Sequence, residues 1–264
     1  MKPITALFQF IMSLLCLLNI PQTYANPENG IDVAIASNLY QTIKEISQRF
    51  TEETGVPVQL HSGASGQLIT QALSGASYSV IMTADEAIAK KLEQDYPHGL
   101  KKKIIGHAQW ALWCPALEEK KTLEDLSFYD FLKVCQLNAK KKRPKFILPT
   151  PTLSPFGNSI AQYLKKYPLD SQWSVFHAST IAQSFNILSL ENADVGGVAS
   201  SHVIEKQLSK NAIWIPPKNQ SLLPQTCYFL KGSKAPLNGE LFFNFLSTAP
   251  SKKIIKNHGY IIRE

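Results

Sequence analysis

The sequence predicts an α/β protein of two lobes, each a mostly parallel sheet flanked by helices. Three observations predict it. Short apolar runs alternate with segments whose apolar residues recur at helical spacing. The joints between them are rich in Ser, Gly and Asn. One longer β-like run, KIIGHAQWALWCP, divides two such alternating stretches and reads as a crossing into a second unit. Strand–helix alternation of this kind builds a sheet with helices packed on both faces.

The elements follow in order. IDVAIA is a strand, and after Ser37-Asn38 the residues Leu39, Ile43, Ile46 and Phe50 make a helical stripe that Gly55 closes. Ser37 reads as the N-cap of that helix. PVQLH is the next strand; past the turn HSGASG, Leu68, Ile69, Ala72 and Leu73 form a second stripe ending at Gly75. YSVIMTA is a strand, with Asp85 the expected N-cap of EAIAKKLEQ. The second unit contains KFILPT, PTLSPFGNSIAQYLKKY, WSVFHAST and IAQSFNILSLENADVGGVA. After AIWIPP, KNQSLLPQ reads as a loop and TCYFLKG as a strand. GELFFNFLSTAPSKKIIKNHGY reads as a closing helical segment with Phe242, Phe245 and Leu246 on one face. The expected first lobe is 26–106 plus 221–264, and the second is 107–220.

Residues 1–25 read as a cleavable secretory signal peptide: Lys2 supplies a positive start, ITALFQFIMSLLCLLNI an apolar core, and Thr23-Tyr24-Ala25 a cleavage site before Asn26. A lipid anchor on Cys16 would want a small residue where Leu15 stands. The expected location is the periplasm. The 44% apolar and 18% charged residues are those of a globular protein, and a net charge of +7 suits one that handles an anion, though it equally serves solubility. Past the signal, Cys114, Cys135 and Cys227 are widely spaced with no C-x-x-C, so they suggest neither a zinc site nor a thioredoxin-like one. They read as buried thiols, with a Cys114–Cys135 bridge as the alternative. AKKKRPK reads as a solvated loop, since an export signal argues against a nucleic-acid patch.

In open α/β sheets, ligands lie at the carboxyl ends of strands beside helix N-termini. Four strand-to-helix junctions here are rich in hydroxyls or small residues: Ser37-Asn38, Ser62–Gly66, Ser154–Asn158 and Ser179–Gln183. Their convergence would make a small, donor-rich cage for an anion. No Lys follows the glycines as in a P-loop, and there is no G-x-G-x-x-G. An enzyme is the contrasting class, with His61, His107, His177 and His202 available, but G-x-S-x-G and H-E-x-x-H are both missing. An organic acid would call for an Arg fork, and Arg49, Arg143 and Arg263 all lie away from the four junctions. A ferric-ion site would need clustered Tyr or His there.

These residues resemble a known family, the periplasmic molybdate- and tungstate-binding receptors of ABC importers (ModA-type solute-binding proteins). VAIASNLYQTIKEISQRFTEETGVPV is similar to the family's opening strand, hydroxyl residue and helix. SGASGQLITQALSGASYSVIMTADE has its glycine-serine turn, and ILPTPTLSPFGNSIAQYL its proline-x-glycine segment. NADVGGVASSHV and FFNFLSTAPSKKIIKNHGY fit as well. The resemblance implies a two-lobed, type II (venus-flytrap) periplasmic-binding-protein fold that captures molybdate or tungstate without chemistry, needs no cofactor, and uses no side chain as a direct cation ligand. It implies that Ser37 and Ser65 bind the oxyanion by hydroxyls, and Asn38, Phe156 and Ile181 chiefly by backbone N–H, with Gly63, Ala64, Thr180 and Ser200 as additional candidates. Some members add a tyrosine hydroxyl where this chain has VASSHV, so Ser200 or Ser201 would stand in its place. The implied partner is a membrane permease whose ATP is hydrolysed by a separate subunit; the receptor would be a monomer and bind no nucleic acid. The alternatives are another anion such as sulfate, a sensor role, or a secreted serine-type hydrolase.

Overall fold

The structure, a computed structural model, describes residues 30–84, 86–96, 99–118, 126–139, 141–217 and 222–263. The expected signal peptide and the Asp85 cap lie outside them. Strand β1 (Ile31–Ala36) runs through a short 3-10 turn, Ser37–Leu39, into α1 (Tyr40–Thr54). Gly55, at φ 74°, ends that helix by donating its N–H to the Thr51 carbonyl, a left-handed cap that costs little without a Cβ. Then come β2 (Val58–Gly63), α2 (Ser65–Leu73), β3 (Val80–Thr83) and α3 (Glu86–Asp95). The long run expected in mid-chain is β4 (Leu100–Trp113). Beyond it, α4 (Phe128–Ala139), β5 (Lys145–Pro149), α5 (Pro155–Lys166), β6 (Ser174–Ala178), α6 (Ile181–Ser189), β7 (Val195–Ala199) and α7 (Ser200–Glu205) continue the alternation. The chain returns through β8 (Ile213–Trp214) and β9 (Leu222–Leu230) to α8 (Pro236–Phe245) and α9 (Ala249–Asn257).

The strands form one curled sheet in the order β2-β1-β3-β9-β4-β7-β5-β6, with β8 attached to β4. At one end β1 lies parallel between β2 and β3. At the other, β5 lies parallel between β6 and β7. The two parallel groups are joined by an antiparallel pair, so the sheet is mixed in its middle. Residues Leu100–Gln109 of β4 pair with β9, and Trp110–Trp113 pair with β7. A single strand therefore serves both halves, and the change of partner falls between Gln109 and Trp110.

Three expectations are corrected. The stretch LLPQ is strand, not loop: Leu222–Gln225 pair with Gln109–Gly106, next to a register shift between Ile104 and Gly106. Pro224 is tolerated there because β9 pairs with β3 only from Thr226 onward, which leaves Pro224 with an edge on the side where its missing N–H is not needed. The closing helix is two helices; Thr248 accepts from the Ser251 N–H and Pro250 occupies the first turn, so α9 starts afresh after α8. Ser37 is not a helix cap, since the 3-10 turn and α1 that follow β1 are entered without a side-chain cap bond.

The core accounts for the aromatic residues. Trp110, Trp113 and Trp173 are buried, with the Trp110 indole donating to Ser159 Oγ at 2.9 Å. Phe50 of α1 meets Phe242 and Phe245 edge-on at 5.0 and 5.3 Å, which seats the C-terminal helices on the first. Cys114, Cys135 and Cys227 are free and buried, as the thiol reading expected. Burial pushes the Cys227 thiol up to about 12. Burial, and then the neighbouring Cys114, raise that of Cys135. Lys141 of the basic loop is exposed and pairs with Asp194 at 2.8 Å.

Candidate functional site

The ends of β1 and β2 and the starts of α5 and α6 face one another across a small cleft, part of it open to solvent. From one side come Ala36, Ser37 and Asn38 at the end of β1, then Gly63, Ala64 and Ser65 at the opening of α2, with Ala84 after β3. From the other come Leu153, Ser154, Pro155 and Phe156 at the opening of α5, and Thr180 and Ile181 at the opening of α6. None of these side chains is ionisable.

The two sides are built differently. On the first, Ser65 is the opening residue of α2, and its N-cap Ala64 offers no side-chain bond. Ser65 is 3% exposed, and its hydroxyl has no hydrogen-bond partner among the described residues. Ser37 sits in the 3-10 turn and is likewise uncommitted. Asn38 is different: its amide donates to Gln225 Oε1 at 3.0 Å and to the Tyr260 hydroxyl at 3.1 Å, so its side chain is occupied away from the cleft.

On the second side the hydroxyls cap their own helices. Ser154 Oγ accepts from the Gly157 N–H at 3.4 Å, and Thr180 Oγ1 from the Gln183 N–H at 3.0 Å. Ser179 N–H and Oγ both donate to Gln183 Oε1, at 2.6 and 2.8 Å, which closes the turn around α6. Phe156 and Ile181, in the first turns of α5 and α6, present backbone N–H groups for which the helix itself has no acceptor. Gly157 makes the placement of α5 possible: a Cβ there would fall 2.2 Å from the Pro149 carbonyl oxygen.

Three helix starts and a 3-10 turn thus open on one space lined by hydroxyls, small residues and free N–H groups, with positive dipole ends and no fixed charge among the described residues. That arrangement can hold a compact anion. Among the described residues it has no nucleophile–base pair: His61 is held by Asp32 at 2.6 Å, His107 lies 3.4 Å from the Ile261 carbonyl, and His177 is exposed on β6. His202 is buried with its Nδ1 accepting from the Ala199 N–H at 3.4 Å, and burial pulls it down to about 4, so it is neutral.

The fold therefore brings Ser37, Asn38, Ser65, Phe156 and Ile181 together, along with Gly63, Ala64 and Thr180. Ser200 is not among the cleft residues; its hydroxyl accepts from the Gln109 N–H and donates to the Gly259 carbonyl, both at 3.3 Å. Ser154 was not among the expected site residues. The signal was legible, because a Ser directly before a Pro that opens a helix is a capping signature, and a capping hydroxyl keeps its own hydrogen for a ligand.

Comparison with known proteins adds the following. Residues 31–261 match the family described as bacterial extracellular solute-binding protein. The chain is 24% identical over 239 residues to the molybdate-binding protein ModA of Rhodobacter capsulatus, covering 86% of each. Its fold is similar to that of the periplasmic molybdate-binding protein of Azotobacter vinelandii (TM-score 0.73, 23% identity, 89% of this chain and 100% of that one). It is also similar to that of the sulfate-binding protein SubI of Mycobacterium tuberculosis (TM-score 0.65, 13% identity, 88% and 86%).

Proposed function

The chain belongs to the bacterial extracellular solute-binding proteins, and we propose that it captures molybdate or tungstate in the cleft between two lobes and delivers it to an ABC permease. The observation that carries this reading is the meeting of Ser37, Ser65, Phe156 and Ile181 around one small space with no ionisable side chain among its described lining residues. The chain's relatives are binding proteins rather than enzymes, and the molybdate-binding ones align over most of its length.

Chemistry supports the same reading. Molybdate and tungstate are fully deprotonated near neutral pH and only accept hydrogen bonds. A cage made of O–H and N–H donors satisfies them, whereas a protonated phosphate would also need an acceptor. Each hydrogen bond to a charged group contributes on the order of 1.5–3 kcal/mol, so a handful suffices for tight binding without a buried cation. In this reading Ser37 and Ser65 donate hydroxyl hydrogens, and Asn38, Phe156 and Ile181 donate backbone N–H. The lobes are residues 26–106 with 221–264, and 107–220, closing about β4 and the start of β9. Residues 1–25 direct export to the periplasm, where the protein acts as a monomer and a separate subunit hydrolyses ATP.

Sulfate is the second reading. The similarity to a sulfate-binding protein favours it, and sulfate is also a tetrahedral acceptor. Size separates the two, since a cage shaped for molybdate holds the smaller sulfate loosely. A thermal-shift titration with molybdate, tungstate, sulfate, phosphate and citrate at fixed ionic strength tests the assignment. A ligand at 100 times its Kd adds about 2.7 kcal/mol of stability. Molybdate and tungstate should raise the Tm with little response to sulfate; a response to sulfate alone moves the protein to the second reading, and no response to any of them removes the oxyanion.

A further inference from the structure

Helix α7 takes no part in lining the cleft, yet three of its six residues bond to the opposite half of the molecule. Ser200 donates to the Gly259 carbonyl at 3.3 Å, Ser201 donates to the Asn38 carbonyl at 3.2 Å, and Glu205 faces His258 Nδ1 at 3.1 Å. The other ring nitrogen of His258 lies 2.8 Å from Glu45 of α1. Three consecutive residues after α9, His258, Gly259 and Tyr260, thus meet α7 or the turn Ser37–Leu39. Gly259 has φ +83°, and a Cβ on it would fall 2.6 Å from Ile204 Cδ1, so the backbone itself is seated on α7.

Asn38 is where this contact reaches the cleft. Its carbonyl accepts from the Tyr260 hydroxyl at 2.6 Å as well as from Ser201. Its amide donates back to the Tyr260 hydroxyl and to Gln225, a buried residue of β9 beside the register shift. Asn38, Ser201, Gln225 and Tyr260 are all buried. Parting the halves would break the Ser201 bond to that carbonyl along with the Ser200–Gly259 and Glu205–His258 contacts, and their joint loss opposes opening.

Resting on the function proposed above, we propose that α7 and the turn His258–Tyr260 are the latch that holds the lobes closed over the anion. Ser201 and Tyr260 act as positioning residues for Asn38. The two serines of α7 grip the other lobe and take no part in lining the cleft. Closure and anion binding are then coupled through one turn, because the same Ser37–Leu39 segment lines the cleft and receives the latch.

The test compares wild type, Ser201→Ala and Tyr260→Phe by stopped-flow tryptophan fluorescence with molybdate. A latch predicts at least fivefold weaker binding in each variant, through faster release at an unchanged association rate, with the anion-free Tm within a few degrees of wild type. A packing role alone would lower the Tm and leave the release rate unchanged, and that result overturns the proposal. If Tyr260→Phe does not fold, Ser201→Ala decides. If wild-type protein ignores molybdate, the functional reading fails separately, and hydrogen exchange of the anion-free protein decides the latch. Residues 199–205 and 257–261 should exchange faster in a Ser200→Ala/Ser201→Ala double variant; unchanged exchange would refute the latch.

Discussion

The two walls of the cleft use the same residue types for opposite purposes. On the β1–β2 side, Ser37 and Ser65 stand at helix or turn openings that have no side-chain cap, and their hydroxyls have no partner among the described residues. On the α5–α6 side, Ser154 and Thr180 stand one residue earlier relative to their helices and accept from first-turn N–H groups. A shift of one position along the chain decides whether a hydroxyl oxygen caps its own helix or has no partner among the described residues. The first wall therefore offers side chains and the second offers main chain, and the second tolerates a large residue such as Phe156 because the ligand would not touch its side chain chemistry.

The largest expected effect breaks the second wall. Gly157→Ala sets a Cβ 2.2 Å from the Pro149 carbonyl oxygen, which pushes the start of α5 off β5. We expect a loss of about 3 kcal/mol of stability by urea denaturation, the upper end for overpacking, together with loss of molybdate binding by calorimetry.

Acid should strike the second wall next. His202 follows β7, lies with its ring tilted 4.7 Å from that of Phe185 on α6, and is held neutral by burial, with its pKa down at about 4. The unfolded chain takes up that proton near pH 6.5, so the contribution is complete above that pH and is lost as pH falls towards 4. Between pH 7 and pH 5 the urea midpoint should report a loss of about 2 kcal/mol that a His202→Asn variant does not share. Equal losses in both proteins would show that this histidine is already solvated.

A paired substitution sharpens the contrast. Ser65→Ala should weaken molybdate binding at least tenfold, about 1.4 kcal/mol, and leave the anion-free Tm unchanged, since no cap is lost. Thr180→Ala should do the reverse, removing about 1 kcal/mol of stability with its cap and weakening binding only a few-fold through a loosened Ile181. Matching profiles for the two variants would erase the distinction between the walls.

Much of this was legible in the sequence. The alternation of apolar runs and helical stripes, and the hydroxyl-rich junctions, located the strands, the helices and nearly the whole cleft. What was hidden required partners distant in the chain. Pro224 reads as a loop residue, and only the local absence of a second neighbour lets it lie in β9. Ser37 reads as a cap because position cannot tell a 3-10 turn from the start of an α-helix. Asn38 reads as a backbone donor, and nothing local in the sequence tells that its side chain is claimed by Gln225 and Tyr260, 187 and 222 residues away. Ser200 reads as a site residue by its strand-to-helix turn, but the return of the C-terminal segment supplies Gly259 as its acceptor.

The most direct test of the division between the walls is a crystal structure of the protein with molybdate. It should show anion oxygens about 3 Å from the Ser37 and Ser65 hydroxyls on one side and from the Phe156 and Ile181 backbone nitrogens on the other. Molybdate held instead by side chains of the α5–α6 wall, or bound outside this cleft, would contradict it.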